Sequence, residues 1–188
     1  MLANGPNIPP PVIWRPPASG VYTGGLFTGY ATSAGITAAD FLYAIPCALP
    51  LPALYGHVSV RVDTGIGGSN ARLGVYADNS GTPGALIEDA GTFTPTAAGF
   101  YDVAFAAPRA IGPGMVWLAL VTDTTTVQWE RTHSIGGYAQ WATQSGTNLL
   151  GIRMIVRGSF AYAALPDPFG GSPSFSTSTA FRIQLKAA

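Results

Sequence analysis

Between Thr126 and Asn148 the chain sets Trp129, Tyr138 and Trp141 among amide and guanidinium side chains. Those types can hold a sugar: a flat ring stacks on the C–H face of a pyranose, and neighbouring donors fix its hydroxyls. The glycan-contact candidates are Trp129, Arg131, Tyr138, Gln140, Trp141 and Gln144. The same aromatic residues also suit a subunit interface, where tryptophan is enriched, or the core of a sheet protein. Composition alone leaves all three readings open.

Proton-transfer and metal chemistry find less support. His57 and His133 are the only histidines. His57 falls on the polar side of an alternating run, which predicts an exposed or hydrogen-bonded surface residue. Ser134 beside His133 has no triad geometry by adjacency alone. No nucleophile elbow, phosphate-loop lysine or zinc-binding helix motif occurs. Gly65-Ile66-Gly67-Gly68 lacks the helix and the basic residue that phosphate cradling requires, so it reads as a turn. Asp78, Asn79, Glu88 and Asp89 could offer oxygens to calcium, but that ion takes six to eight. A hydrogen-bonding turn aspartate is the better reading of Asp78. The expectation is a protein with no catalytic residues, no metal and no cofactor.

These residues must be positioned by strands. The chain has 188 residues, suited to one domain, with 24 glycines and 16 prolines as turn punctuation. Tyr55–Asp63 alternates, with Val58, Val60 and Val62 on one side and His57, Ser59 and Arg61 on the other. Ala71–Ala77 follows, with Leu73 and Val75 inward. Further strand-like runs are 85–92, 100–106, 126–131, 152–158 and 181–186. Met115–Val121 is apolar on both sides, as a strand covered on both faces must be. The nearest approach to a helical period is Ile36–Tyr43. Eight or more short strands of this kind predict an all-β, antiparallel β-sandwich over residues 21–188, most commonly closed as a jelly roll.

Residues 1–20 differ. Six prolines there favour an extended docking arm over helix or sheet interior. Its apolar centre makes Val12, Ile13, Trp14 and Arg15 the particle-docking candidates. Charged residues are 10% of the chain, nine basic against nine acidic, where about 25% is ordinary. A surface so poor in charge suits a closed homo-oligomer, and net neutrality with one lysine argues against nucleic acid. No run of apolar residues is long enough for membrane insertion as a helix, and no secretory signal is visible. Cys47 is the only cysteine, so no intrachain disulfide forms, and it reads as a small, semi-buried hydrophobe.

Three segments carry a family resemblance. Ala71–Ile87 (ARLGVYADNSGTPGALI) is similar to a signature of phage and prophage structural proteins. Ile111–Leu120 (IGPGMVWLAL) resembles the strand that follows it in those proteins. Ser159–Pro166 (SFAYAALP), with Phe181–Leu185 as last strand, looks like the ending of phage tail and head-fibre proteins, although Ala163 stands where glycine is usual. The resemblance spans roughly residues 40–188. It implies a virion β-sandwich of phage, prophage or gene-transfer-agent-like origin: a head spike, head fibre, decoration protein or tail receptor binder. Implied partners are copies of itself, as a trimer or fivefold-type ring, and other virion proteins of the capsid, portal vertex or tail. Host cell-surface polysaccharide joins them if the aromatic loop is exposed. Implied localisation is the virion, after synthesis in the bacterial host cytoplasm. The rivals are a purely architectural decoration or tail-wall protein and, more distantly, a carbohydrate-active enzyme.

Overall fold

β-branched and aromatic residues at every second position build two antiparallel sheets that bury their facing sides against each other. The computed structural model describes residues 15–24, 31–35, 39–132, 154–176 and 180–188, with backbone alone at 31–35, 132, 175 and 176. Among these residues there are thirteen strands and no helix. The all-β sandwich expected from the alternation is therefore present.

Sheet I contains β1 (Tyr22–Gly24), β2 (Ala31–Gly35), β4 (Ala53–Thr64), β7 (Gly99–Ile111), β9 (Gln128–Thr132), β12 (Ala180–Phe181) and β13 (Ile183–Ala187). β13 lies between β1 and β4, while β7 takes the other edge of β4. β9 pairs with the end of β4, with β2 and with β12. Arg182 is the joint between β12 and β13. Its N–H donates to Glu130 O at 2.9 Å, and its carbonyl accepts from Arg61 N–H at 3.3 Å.

Sheet II runs β11 (Ser174–Ser176), β10 (Met154–Arg157), β3 (Leu42–Leu49), β8 (Gly114–Thr122), β5 (Ala71–Asp78) and β6 (Pro83–Phe93). β3 occupies part of the stretch with the helix-like period, and Leu42 and Tyr43 are strand residues. Pro46 hides this strand in the sequence. Having no N–H to donate to a neighbouring strand, proline is rare inside a sheet, yet here it stands within β3 opposite Trp117 of β8.

Val58, Val60 and Val62 of β4 are fully buried between the sheets, facing Leu73, Val75, Leu118 and Leu120 of sheet II, as their alternation predicts. Each such side chain contributes about 1.5–3 kcal/mol through burial. Tyr55 also points inward although it is three residues from Val58. A bulge between Tyr55 and His57 shifts the phase of the strand by one residue.

The outer side of sheet II is apolar too. Leu42, Ala44, Tyr76, Trp117, Ala119, Val121 and Ile155 are buried there beneath residues 158–173 of the same chain, which insert Leu165 and Phe169. The double-sided apolarity of β8 has this cause. Tyr76 donates to Pro166 O at 2.9 Å and meets the Phe169 ring edge-on at 5.2 Å. Asp89 accepts from Leu165 N–H at 3.0 Å, and Asp167 accepts from Leu86 N–H at 2.9 Å. Gly74 is required beneath this cover, since a Cβ would stand 2.2 Å from Leu165 Cδ1 and 2.8 Å from Glu88 O.

Candidate functional site

Strand alternation decides the fate of the aromatic segment. In β9 and the residue before it, Val127 and Trp129 face the sandwich interior. Trp129 is 0% exposed and meets Phe93 edge-on at 6.3 Å. Arg131, on the same side, is buried with its guanidinium carbon 5.0 Å from the centre of the Phe181 ring. Burial holds its pKa below the ordinary value, opposed by the neighbouring Tyr43. Neither can serve as the exposed glycan contact expected from the sequence: period-two geometry turns both inward. Tyr138, Gln140, Trp141 and Gln144 lie outside the described residues, as do His133 and the docking candidates Val12, Ile13 and Trp14. Arg15 opens the described segment and is exposed.

Asp78 is the turn aspartate expected. It accepts from Gly81 N–H at 3.2 Å and from Trp117 Nε1 at 2.8 Å. Ser80 (φ 54°) and Gly81 (φ 88°) are the two central residues of the β5–β6 hairpin, closed by Asn79 N–H to Thr82 O at 2.7 Å. Positive φ at both positions marks the tight mirror-image turn that matches strand twist. Glu88 and Asp89 are committed elsewhere. Glu88 pairs with Arg109 at 2.7 Å and accepts from Ala106 N–H at 3.3 Å, clipping the bulged part of β7 to β6. Both carboxylate oxygens of Asp89 accept from Arg72 Nε, at 2.7 and 2.9 Å, beside the bond from Leu165 N–H. Cys47 is more than semi-buried: it lies wholly inside the core, where burial pushes the thiol up to about 12.

The residues that do converge at the surface lie on the outer side of sheet I. Side by side there stand Ser59 and Arg61 of β4, Phe100 and Asp102 of β7, Lys186 of β13 and Arg182 at the β12–β13 joint. Tyr22 from β1 reaches across them, and its hydroxyl donates to Asp102 at 3.0 and 3.1 Å. Ser59 Oγ donates to the same carboxylate at 2.5 Å and Lys186 Nζ at 2.6 Å. Burial pushes the Asp102 carboxyl up, but the hydrogen bonds from Lys186, Ser59 and Tyr22 and the charge of Lys186 outweigh it. The net shift is downward. Lys186 moves the opposite way, raised chiefly by its hydrogen bond to Asp102, with desolvation opposing.

No family model, curated protein or solved structure matches the chain.

Phe100 and Tyr22 remain 41% and 38% exposed, with ring centres 5.7 Å apart and planes inclined by 30°. The guanidinium carbons of Arg61 and Arg182 stand 5.3 and 5.0 Å from the Phe100 centre, and Lys186 Nζ stands 5.3 Å from that of Tyr22. Glu130 joins the two arginines: its Oε1 is 2.9 Å from Arg182 and its Oε2 is 2.5 Å from Arg61 Nε. The Arg61 N–H is not aligned with that oxygen, so the contact is an ion pair without a hydrogen bond. This face can stack on a ligand and exchange hydrogen bonds with it. Asp102, ionised and saturated with donors, is poorly placed to release a proton.

The sequence reading missed this cluster, although a signal was present. The run Phe181–Lys186 alternates between apolar and polar residues, as Tyr55–Asp63 does. Tyr22 follows the proline-rich stretch and belongs to a strand of only three residues, too short to show a period.

Proposed function

We propose that this chain is a non-enzymatic structural component of a phage-type particle, a head spike, head fibre, decoration or tail-associated protein. Its proline-rich N-terminal arm docks on the particle, and its free surface contacts host glycans. The reading takes its source from the three resembling segments, which fall on the β5–β6 hairpin, on β7–β8, and on the sheet II cover with β12–β13. These segments build most of the scaffold, and of the third only Arg182 joins the cluster on the outer side of sheet I.

The observation that carries the docking half is the junction at residues 15–24. Residues 15 and 16 and 18–20 are exposed, and the segment is tied down from Gly20 onward, where Gly20 N–H donates to Ala187 O at 3.0 Å, β1 pairs with β13 and Tyr22 donates to Asp102. An exposed proline-rich stretch that continues an edge strand is built to engage something outside its own domain. Removing residues 1–19 is expected to leave the sandwich folded, by circular dichroism and melting temperature, and to abolish incorporation into particles. Normal incorporation of the truncated chain would move attachment to the domain itself.

A purely architectural role is favoured by one observation: Trp129 and Arg131 are core residues, which withdraws two members of the proposed glycan loop. Glycan contact then has to be made by another surface.

A further inference from the structure

We propose that the outer face of sheet I is a saccharide-binding platform, with Phe100 and Tyr22 as stacking rings and the ion pairs around them as the hydroxyl-binding rim. The inference rests on the glycan-contact half of the function proposed above and relocates it from the segment after β9 to β1, β4, β7 and β13.

Among the described residues, exposure is concentrated here. Of their large apolar side chains left exposed, Val21, Tyr22, Leu54 and Phe100 lie on sheet I or on the residue leading into it, and Ile66 lies in a turn. Sheet II has its own chain over its outer side. Two inclined rings with more than a third of their surface in water offer the kind of area on which the C–H face of a sugar packs.

The rim selects the ligand class. Arg61, Arg182 and Lys186 face Asp63, Glu130 and Asp102, three cations against three carboxylates within ion-pair distance. An anion finds no uncompensated positive charge. A flat apolar partner would have to strip water from paired ions with nothing to replace it. A neutral saccharide fits both parts, because its hydroxyls donate to the carboxylates of Asp63 and Glu130 and accept from guanidinium or ammonium hydrogens without breaking the pairs. The rim groups also hold one another in place. Asp102 alone accepts from Tyr22, Ser59 and Lys186, so little side-chain freedom is left to lose on binding.

The test titrates the full chain with neutral gluco-, galacto- and manno-oligosaccharides up to millimolar concentration, followed by ligand-observed NMR. Saturable binding of at least one is expected. Phe100→Leu, which keeps apolar bulk and removes the ring, should weaken it about tenfold, the loss of one aromatic anchor. Tyr22→Phe keeps the ring and should still bind, whereas Tyr22→Ala should not. The oligomer mass of each variant is measured alongside. The proposal is overturned if none of the sugars binds, or if binding survives both Phe100→Leu and Tyr22→Ala. It is equally overturned if these changes dissociate the oligomer and leave sugar binding intact, which would make the face a contact between copies. Particle incorporation of Phe100→Leu is expected to stay normal, so a failure here is separable from a failure of arm docking.

Discussion

The two outer sides of the sandwich solve the same problem in opposite ways. Sheet II is apolar on both sides, and the chain folds its own residues 158–173 over the second. Sheet I is apolar inside only, and its outer side is finished with Tyr22, Phe100 and a closed set of ion pairs. One side spends chain length to remove itself from water. The other keeps large rings in water and neutralises every charge around them. On the proposed function, stability and recognition fall to different sides, so substitutions on each should have different signatures.

The largest separation is expected from Phe169→Ala against Phe100→Ala. Phe169 is 1% exposed and packs edge-on to Tyr76, so its removal should cost about 3–5 kcal/mol by transfer and cavity formation. Phe100→Ala loses two exposed cation–ring contacts, about 1 kcal/mol in all. Chemical denaturation of both variants measures this. Cys47, shielded between the sheets, supplies a second readout: thiol labelling should accelerate strongly in Phe169→Ala and little in Phe100→Ala. Equal costs would break the division of labour.

Next in size is Asp89→Ala. Asp89 joins Arg72 on β5 to Leu165 N–H on the cover, and its loss leaves both without their acceptor. About 1–3 kcal/mol is expected, together with faster hydrogen exchange across residues 158–173 and none on sheet I. The smallest effect belongs to acid. Asp102 titrates below its ordinary 3.8, so its contribution is complete above that value and is lost as pH falls through the lowered one. In Asp102→Asn, stability measured across this window should lose part of its acid slope, because the variant is already less stable near neutrality and meets the parent only at low pH. An unchanged slope would mean that the Tyr22–Asp102–Lys186 contacts add nothing to folding.

Much of this was legible in the sequence, because alternation reports a buried side directly. Val58, Val60 and Val62, Leu73 and Val75, and both sides of β8 stand where their spacing places them. β3 was obscured by Pro46, whose missing N–H argues against a strand although the residue sits inside one. The site was harder to read for a related reason. Trp129 has the residue type of a sugar-stacking ring, but type says nothing about facing, and the phase of β9 turns it inward. Among the described residues, the rings left exposed in the cluster come from β1 and β7, and the charges around them from β4, the β12–β13 joint and β13. Only the pairing of these distant segments brings the cluster together, and no local pattern encodes that pairing.

The position of β13 between β1 and β4 has a consequence in time. Sheet I is completed by joining segments from opposite ends of the described chain, a closure that topology makes slow relative to the local β5–β6 hairpin. Until β13 arrives, β4 offers an unpaired valine-rich edge to any neighbouring strand. Tyr22 and Lys186 take their places only once β1 and β13 are in register, so the outer side of sheet I is among the last surfaces to exist. A chain stalled short of its native state does not display it. A ligand of that surface, as proposed, would therefore select for finished molecules.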